Sequence, residues 1–251
     1  MLDSASLWLP GLAPSDTPVV AAPPVVVPTA HLKPLASATV SYLRPRNVWP
    51  AAPAGLWDRD FSPLKRLEGN FEAVKVAASL SDGQAPSDKQ RDALNLFNGW
   101  GALSKLFDHL PPASWIAARD GLEAIVGEEG MEAIRESTTT SFFTPPAIVR
   151  AVWDALAKAG FAGGNILEPS AGHGMFLANM PEEMAKRSQV TAIEPEHASA
   201  MVLKALYGHY GVNVKRSTFE EASLPEGFYD AVVTNVPFGD FGVGERRNVP
   251  Y

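Results

Sequence analysis

Cysteine is absent from all 251 residues. That excludes a disulfide framework and any thiolate metal site. No run of about 18 apolar residues occurs, so no transmembrane helix is expected. The N-terminus, Met1-Leu2-Asp3-Ser4, lacks the basic start and the long apolar stretch of a secretory signal. These absences together point to a cytoplasmic protein. The five histidines are scattered without metal-ligand spacing, so no metal site is expected.

Positive charge is scarce where it would matter for nucleic acid. Residues 1–91 carry 9 Lys/Arg and 8 Asp/Glu, whereas residues 92–251 carry 12 and 20, a net of −8. A segment this acidic is no stand-alone clamp for a phosphate backbone, which needs clustered Lys and Arg. The apolar content of 46% is nevertheless enough to build a core.

Three regions follow one another. Residues 1–60 form a Pro/Ala-rich arm, with 10 of the 22 prolines before residue 54, and Pro23-Pro24-Val25-Val26-Val27-Pro28 reads as extended or disordered linker. Trp49 and Trp57 could dock on a neighbouring surface. Residues 61–136 read as a helical segment. Phe71, Val74, Val76 and Leu80 have roughly helical spacing. Ser87 is a candidate N-cap for the helix that Asn98-Gly99-Trp100-Gly101 ends. Short helices from Gly121 to Arg135 are interrupted at Gly127 and Gly130. Residues 137–251 alternate helix and short apolar strand. Helices are expected at 145–159, 174–187 and 197–208, and strands at 164–168, 190–194, 212–216 and 229–234. This alternation predicts βαβ units, a parallel sheet and a site at the carboxyl ends of the strands.

The chemistry-bearing residues sit at those ends. Glu168-Pro169-Ser170-Ala171-Gly172-His173-Gly174 closes the first strand and opens a helix. Its small residues let a ligand approach the backbone. A dinucleotide loop would read G-x-G-x-x-G, but Leu177 stands where the third glycine belongs, and Glu168 would repel a pyrophosphate. An acidic strand end suits instead the cationic sulfonium and amino group of S-adenosylmethionine (SAM). The alternative is an ordinary tight turn. Glu194 ends the second strand about 20 residues on, where a carboxylate accepts ribose hydroxyls; alternatively it caps the next helix. Phe219, after the third strand, could meet an adenine ring or belong to the core. Thr144, as N-cap with Pro145 first in the helix, could hold a methionine carboxylate.

The fourth strand delivers Asn235-Val236-Pro237-Phe238. The exocyclic amine of an aromatic base is a poor nucleophile, because its lone pair is delocalised. Accepting hydrogen bonds from both of its N–H groups exposes that lone pair. The Asn235 side-chain oxygen and a backbone carbonyl could do so. Pro237 stiffens the turn, and Phe238 offers a face for a flipped base. Taken alone, these four residues could be a proline turn after a buried strand.

In this order the motifs resemble the gamma-type N6-adenine DNA methyltransferases. They are more similar still to the branch fused to DEAD-like helicases in phage and mobile-element proteins of the anti-restriction kind. The closer likeness rests on Asn98-Gly99-Trp100-Gly101, on Ser137 through Pro146, and on Asn235-Val236-Pro237-Phe238-Gly239. The resemblance implies a Rossmann-like SAM-dependent domain that methylates adenine in DNA. SAM would meet Thr144, Glu168, Pro169, Ala171, Gly172, Gly174, Glu194 and Phe219. Asn235, Pro237, Phe238 and the Val236 carbonyl would hold the adenine. Val236 replaces the usual first proline, and Thr218 stands where many relatives carry an acidic residue. The family's sheet has seven strands, and this chain supplies four. The domain is therefore expected to be completed elsewhere, by a C-terminal part or a helicase domain. Rival readings are a methyltransferase for RNA adenine or a protein glutamine amide, and a non-catalytic interaction or virion protein that keeps the fold.

Overall fold

The computed structural model describes residues 62–140, the side chain of Thr140 apart, and residues 144–236. The Pro-rich arm with Trp49 and Trp57, the stretch Ser141-Phe142-Phe143, and Pro237 with Phe238 lie outside the described residues.

Local chemistry sets the first helices. In α1 (Pro63–Ser79) a proline takes the first turn, and the Ser62 hydroxyl accepts from the Lys65 amide. Its buried positions, Leu67, Asn70, Ala73, Val74 and Ala77, fall on one stripe. In α2 (Asp88–Leu94) the expected Ser87 cap is a full capping box. The serine accepts from Gln90 N, and the Gln90 side chain reaches back to the Ser87 amide. The next helix departs from expectation. α3 spans Ala113–Thr140, starting well before Gly121, and is two helices that meet at a kink at Gly127 (φ 72°, ψ 179°), where an interruption is expected. Gly130 stays in the helix, because flanking residues with good helix propensity outweigh one glycine.

The second half forms a four-stranded, all-parallel sheet in the order β3-β2-β1-β4. The strands are β1 (Asn165–Glu168), β2 (Gln189–Ile193), β3 (Asn213–Lys215) and β4 (Ala231–Val232). Register pairs Ile166 with Val190 on one side of β1 and with Ala231 on the other. The first three strands match the sequence reading to within a residue. β4 is shorter than 229–234, although the ladder continues through Asp230 N to Asn165 O (2.8 Å) and Val233 N to Leu167 O (3.0 Å). It lies at an edge of the described sheet, and Val232 is 59% exposed.

α4 (Pro146–Lys158) precedes β1, α5 (Met175–Ala178) and α6 (Glu182–Ala185) lie between β1 and β2, and α7 (His197–Tyr207) lies between β2 and β3. The single helix expected over 174–187 is therefore two short pieces. Pro181, which caps the second, cannot donate within a helix and clashes with the preceding turn. The start of α4 also differs. Pro145, not Thr144, is the N-cap residue, and no side chain caps this helix. A residue before proline is pushed out of the helical region, so Pro146 holds Pro145 extended (ψ 138°) and the helix begins one residue late.

α1, α2 and α3 all pack on α7, and α7 packs on β3. Sandwiched this way, α7 buries Ala198, Ser199, Ala200, Val202, Leu203, Leu206 and Tyr207. One hydrophobic core runs from Leu67 and Phe97 through Leu203 to Ile166 and Val190. Among the described residues, no helix is long and apolar enough to cross a membrane.

Trp153 fastens α4 to the loop after β1. It is fully buried, its indole N–H donates to Phe176 O at 3.0 Å, and the two rings meet edge-on at 6.1 Å. Trp153→Ala should destabilise the fold by about 3–5 kcal/mol, the scale for deleting a buried large aromatic. Urea unfolding of both proteins checks this, and a loss below about 1 kcal/mol would mean that α4 is loosely held.

Candidate functional site

The strand order reverses at one place. From β1 the chain steps outward to β2 and β3, then returns to pair β4 on the other side of β1. Ligands of open parallel sheets bind outside the carboxyl ends at such a switch point. Here those ends are Glu168, leaving β1, and Val233-Thr234-Asn235, leaving β4.

The loop after β1 is shaped by its glycines. Gly174 has φ 94°, and a Cβ there would lie 2.7 Å from the Tyr207 ring and 2.9 Å from Leu203 Cδ1. Only glycine satisfies both the backbone and this packing against α7. Gly172 also has positive φ (55°), and its amide donates to Glu194 Oε2 at 2.7 Å. Ala171 N donates to Ile193 O at 2.9 Å, so the loop folds back over the end of β2. His173 is buried within it, and burial pushes its imidazole down to about 3, leaving a neutral ring.

Three buried carboxyls follow the same line. Glu168 is 1% exposed, and its Oε2 has no hydrogen-bond partner among the described residues. Burial, reinforced by Glu194, holds its pKa well above the usual carboxylate range. Glu194 is raised to about 7, again chiefly by burial, with Glu196 adding repulsion and the Glu196 and Gly172 amides opposing it. Glu196 accepts from Ala198 N (2.7 Å), Ser199 N (2.8 Å), Ser199 Oγ (2.6 Å) and Trp100 Nε1 (2.8 Å). No Lys or Arg among the described residues forms an ion pair with any of the three. No group of three acids or histidines there has metal-binding geometry.

The sequence-derived residues are thus partly gathered. Glu168, Ala171, Gly172, Gly174 and Glu194 form one connected unit, with Pro169 in the turn between them. Capping of α7, the alternative for Glu194, belongs to Glu196 instead. Glu194 uses its oxygens on the amides of Gly172 and Glu196 (2.9 Å). Thr144 lies before α4, half-buried, and Asn235 is half-buried beyond β4. Phe219 is 51% exposed, which excludes the core alternative; it follows β3 on the far side of β2. Sequence reasoning passed over Glu196, although an acid directly before an expected helix start is a capping signal. It also passed over Tyr207, whose hydroxyl is pushed up by burial and by Glu168. No local signal marks Tyr207. An open cleft of about 250 Å³ between α1 and α7, lined by Leu80, Asp82, Met201 and Lys204, is a poorer candidate. Its one ion pair, Lys204 to Asp82 at 3.0 Å, is half-exposed and leaves no charge to recruit a ligand.

Among known proteins, the chain is similar to Defense against restriction protein B of Escherichia phage P1. The two are 29% identical over 190 residues, which cover 74% of this chain and 7% of the phage protein. The chain therefore spans a small part of that relative's length. No protein-family model matches it, and no solved structure does.

The raised pKa of Glu194 sets the sign of a pH effect. Below about pH 4.5 the carboxyl is protonated in folded and unfolded chains alike, and burial costs nothing. As pH rises towards 7 the unfolded chain ionises first, so stability falls, by about 3 kcal/mol at most for this group. In Glu194→Gln that decline should be missing. The stability difference between wild type and variant, measured by urea unfolding from pH 4 to 8, should therefore shift against the wild type across this window. A difference that is flat with pH would show that Glu194 is not buried as an acid.

Proposed function

We propose that this chain binds SAM at the loop 168–174 and is the cofactor-binding part of an N6-adenine DNA methyltransferase. The carrying observation is Glu168 at the switch point, beside a second buried acid: a buried carboxyl whose Oε2 has no hydrogen-bond partner and which forms no ion pair among the described residues. Such a site favours a ligand that brings positive charge and disfavours a pyrophosphate. When bound, SAM would supply an electrophilic methyl group on a sulfonium. Glu168 would face the cationic end of the ligand, Glu194 would accept from ribose hydroxyls with its remaining lone pairs, and Gly172 and Gly174 would keep the backbone open.

Asn235 enters from β4, across the switch point from Glu168. Its side-chain oxygen would accept from the N6–H of the target adenine, with the Val236 carbonyl as second acceptor. These two acceptors would leave the nitrogen lone pair exposed towards the cofactor side of the site. Pro237 and Phe238 would complete the adenine site, as the resemblance implies. The name of the phage relative concerns defence against restriction. We carry that setting to this chain as part of the proposal, so that methylation would serve modification or anti-restriction. The acidic balance of residues 92–251 means that most of the grip on DNA, and its sequence preference, would come from other parts of the protein or from a partner.

Two experiments test the reading. Calorimetry should show SAM or its demethylated product binding in preference to NAD. Binding should tighten from pH 6 to 8 with release of protons, because a cationic ligand favours the ionised forms of Glu168 and Glu194. An anionic dinucleotide would show the opposite slope, and tighter NAD binding would sink the proposal. In assays of methyl incorporation into DNA, RNA and protein, DNA should be the acceptor. Asn235→Ala should raise the barrier by at least ~2.7 kcal/mol, the scale of one oriented hydrogen-bonding group, while SAM affinity stays nearly unchanged. Wild-type turnover in that variant would reduce Asn235 to a turn residue.

A further inference from the structure

The glycine loop is reached from outside the sheet by one short stretch of the helical segment. Asn98-Gly99-Trp100-Gly101 follows α2, and it is held from several sides. The Asn70 side chain donates to Gly99 O (2.7 Å) and accepts from Asn98 N (2.8 Å), Arg66 donates to Asn98 O (3.2 Å), and Ala102 N donates to Thr138 O (3.2 Å). Ala102 has φ 62° and is the one non-glycine among the described residues with positive φ. A non-glycine side chain persists there only where its surroundings over-determine the backbone.

What this clamp presents is Trp100, fully buried, with its indole N–H on Glu196 Oε2. From Glu196 the bonds run on. The Glu196 amide donates to Glu194 Oε1, and Glu194 Oε2 accepts from the Gly172 amide. A second path runs beside it. The Phe97 ring meets Trp100 edge-on at 5.4 Å and lies 5.8 Å from the His173 ring inside the loop. Both paths end on consecutive loop residues, Gly172 and His173. Packing alone would require a large apolar side chain at position 100. It would not require a donor aimed at the one carboxylate that links α7 to Glu194.

We propose that Trp100 is a positioning residue of the glycine loop. Its N–H fixes Glu196, which fixes Glu194 and through it the Gly172 backbone that a cofactor must approach. The helical segment is on this view a working part of the cofactor site. The cofactor in question rests on the methyltransferase reading; the positioning of the loop does not.

The test follows single amides by NMR hydrogen exchange in the wild type, Trp100→Phe, Glu196→Gln and the double variant, with SAM titrations on the same samples. Trp100→Phe keeps an aromatic ring in the core and removes the donor. It should speed exchange at Gly172, Glu196 and Ala198 by roughly tenfold, the scale of one hydrogen bond to a charged acceptor. Sheet amides such as Val190 should change little, and SAM affinity should fall by a similar factor. Because the donor acts through Glu196, the double variant should be no worse than the poorer single one. Exchange that rises evenly across the core, or strictly additive variants, would overturn the proposal and make Trp100 simple filling. If Trp100→Phe fails to fold, Glu196→Gln decides, and unchanged exchange at Gly172 in that variant overturns it. A wild type that ignores SAM while Gly172 still responds to Trp100→Phe would remove the methyltransferase reading and leave the positioning role supported.

Discussion

The Glu194 carboxylate ties the ends of β1 and β2 together. One oxygen takes the Gly172 amide and the other the Glu196 amide, so the loop after β1 and the turn before α7 hang from one side chain. Both amides belong to residues at the sheet's carboxyl edge, where backbone donors have no ladder partner. A buried acid is an expensive way to satisfy them. Burial, with repulsion from Glu196, raises its pKa to about 7 against the pull of the two amides. A neutral glutamine would offer one acceptor oxygen for two donors. The arrangement is therefore poor for stability and well suited to a cation. Strain of this kind concentrates at functional sites.

That constraint explains how the remaining structure is disposed. Glu196 is satisfied by four donors, three from the first turn of α7 and one from Trp100. Its N-cap position also sets it against the positive end of the helix. Glu168 Oε2 has no such partner among the described residues, and burial with the nearby Glu194 holds its carboxyl well above the usual range. The loop itself cannot relax away from them. Gly174 is wedged against Tyr207 and Leu203, and Trp153 holds Phe176 from the other side. The loop backbone is thus held from both sides, while Glu168 Oε2 stays without a hydrogen-bond partner among the described residues.

What could be read from the sequence was local. Ser87 caps its helix as expected, and Gln90, three residues on, completes a capping box. The strand ends at Glu168 and Glu194 follow from short apolar runs bounded by acids and small residues. Where two local rules competed, the weaker signal misled. Thr144 has the chemistry of an N-cap, yet Pro146 forces Pro145 into that position. The apolar pattern of 174–187 looks like one helix, yet Pro181 divides it. The Trp100–Glu196 bond spans 96 residues, and neither residue betrays the other in the sequence.

The likeness to the phage protein bears on the same division. It covers 74% of this chain, more than the stretch from residue 137 onward could supply. Trp100 and Phe97 reach residues 172, 173, 194 and 196 through a shared buried network, so a change on either side is felt on the other. The hydrogen bonds that reach the loop thus start at Trp100, upstream of residue 136, and end at Gly172.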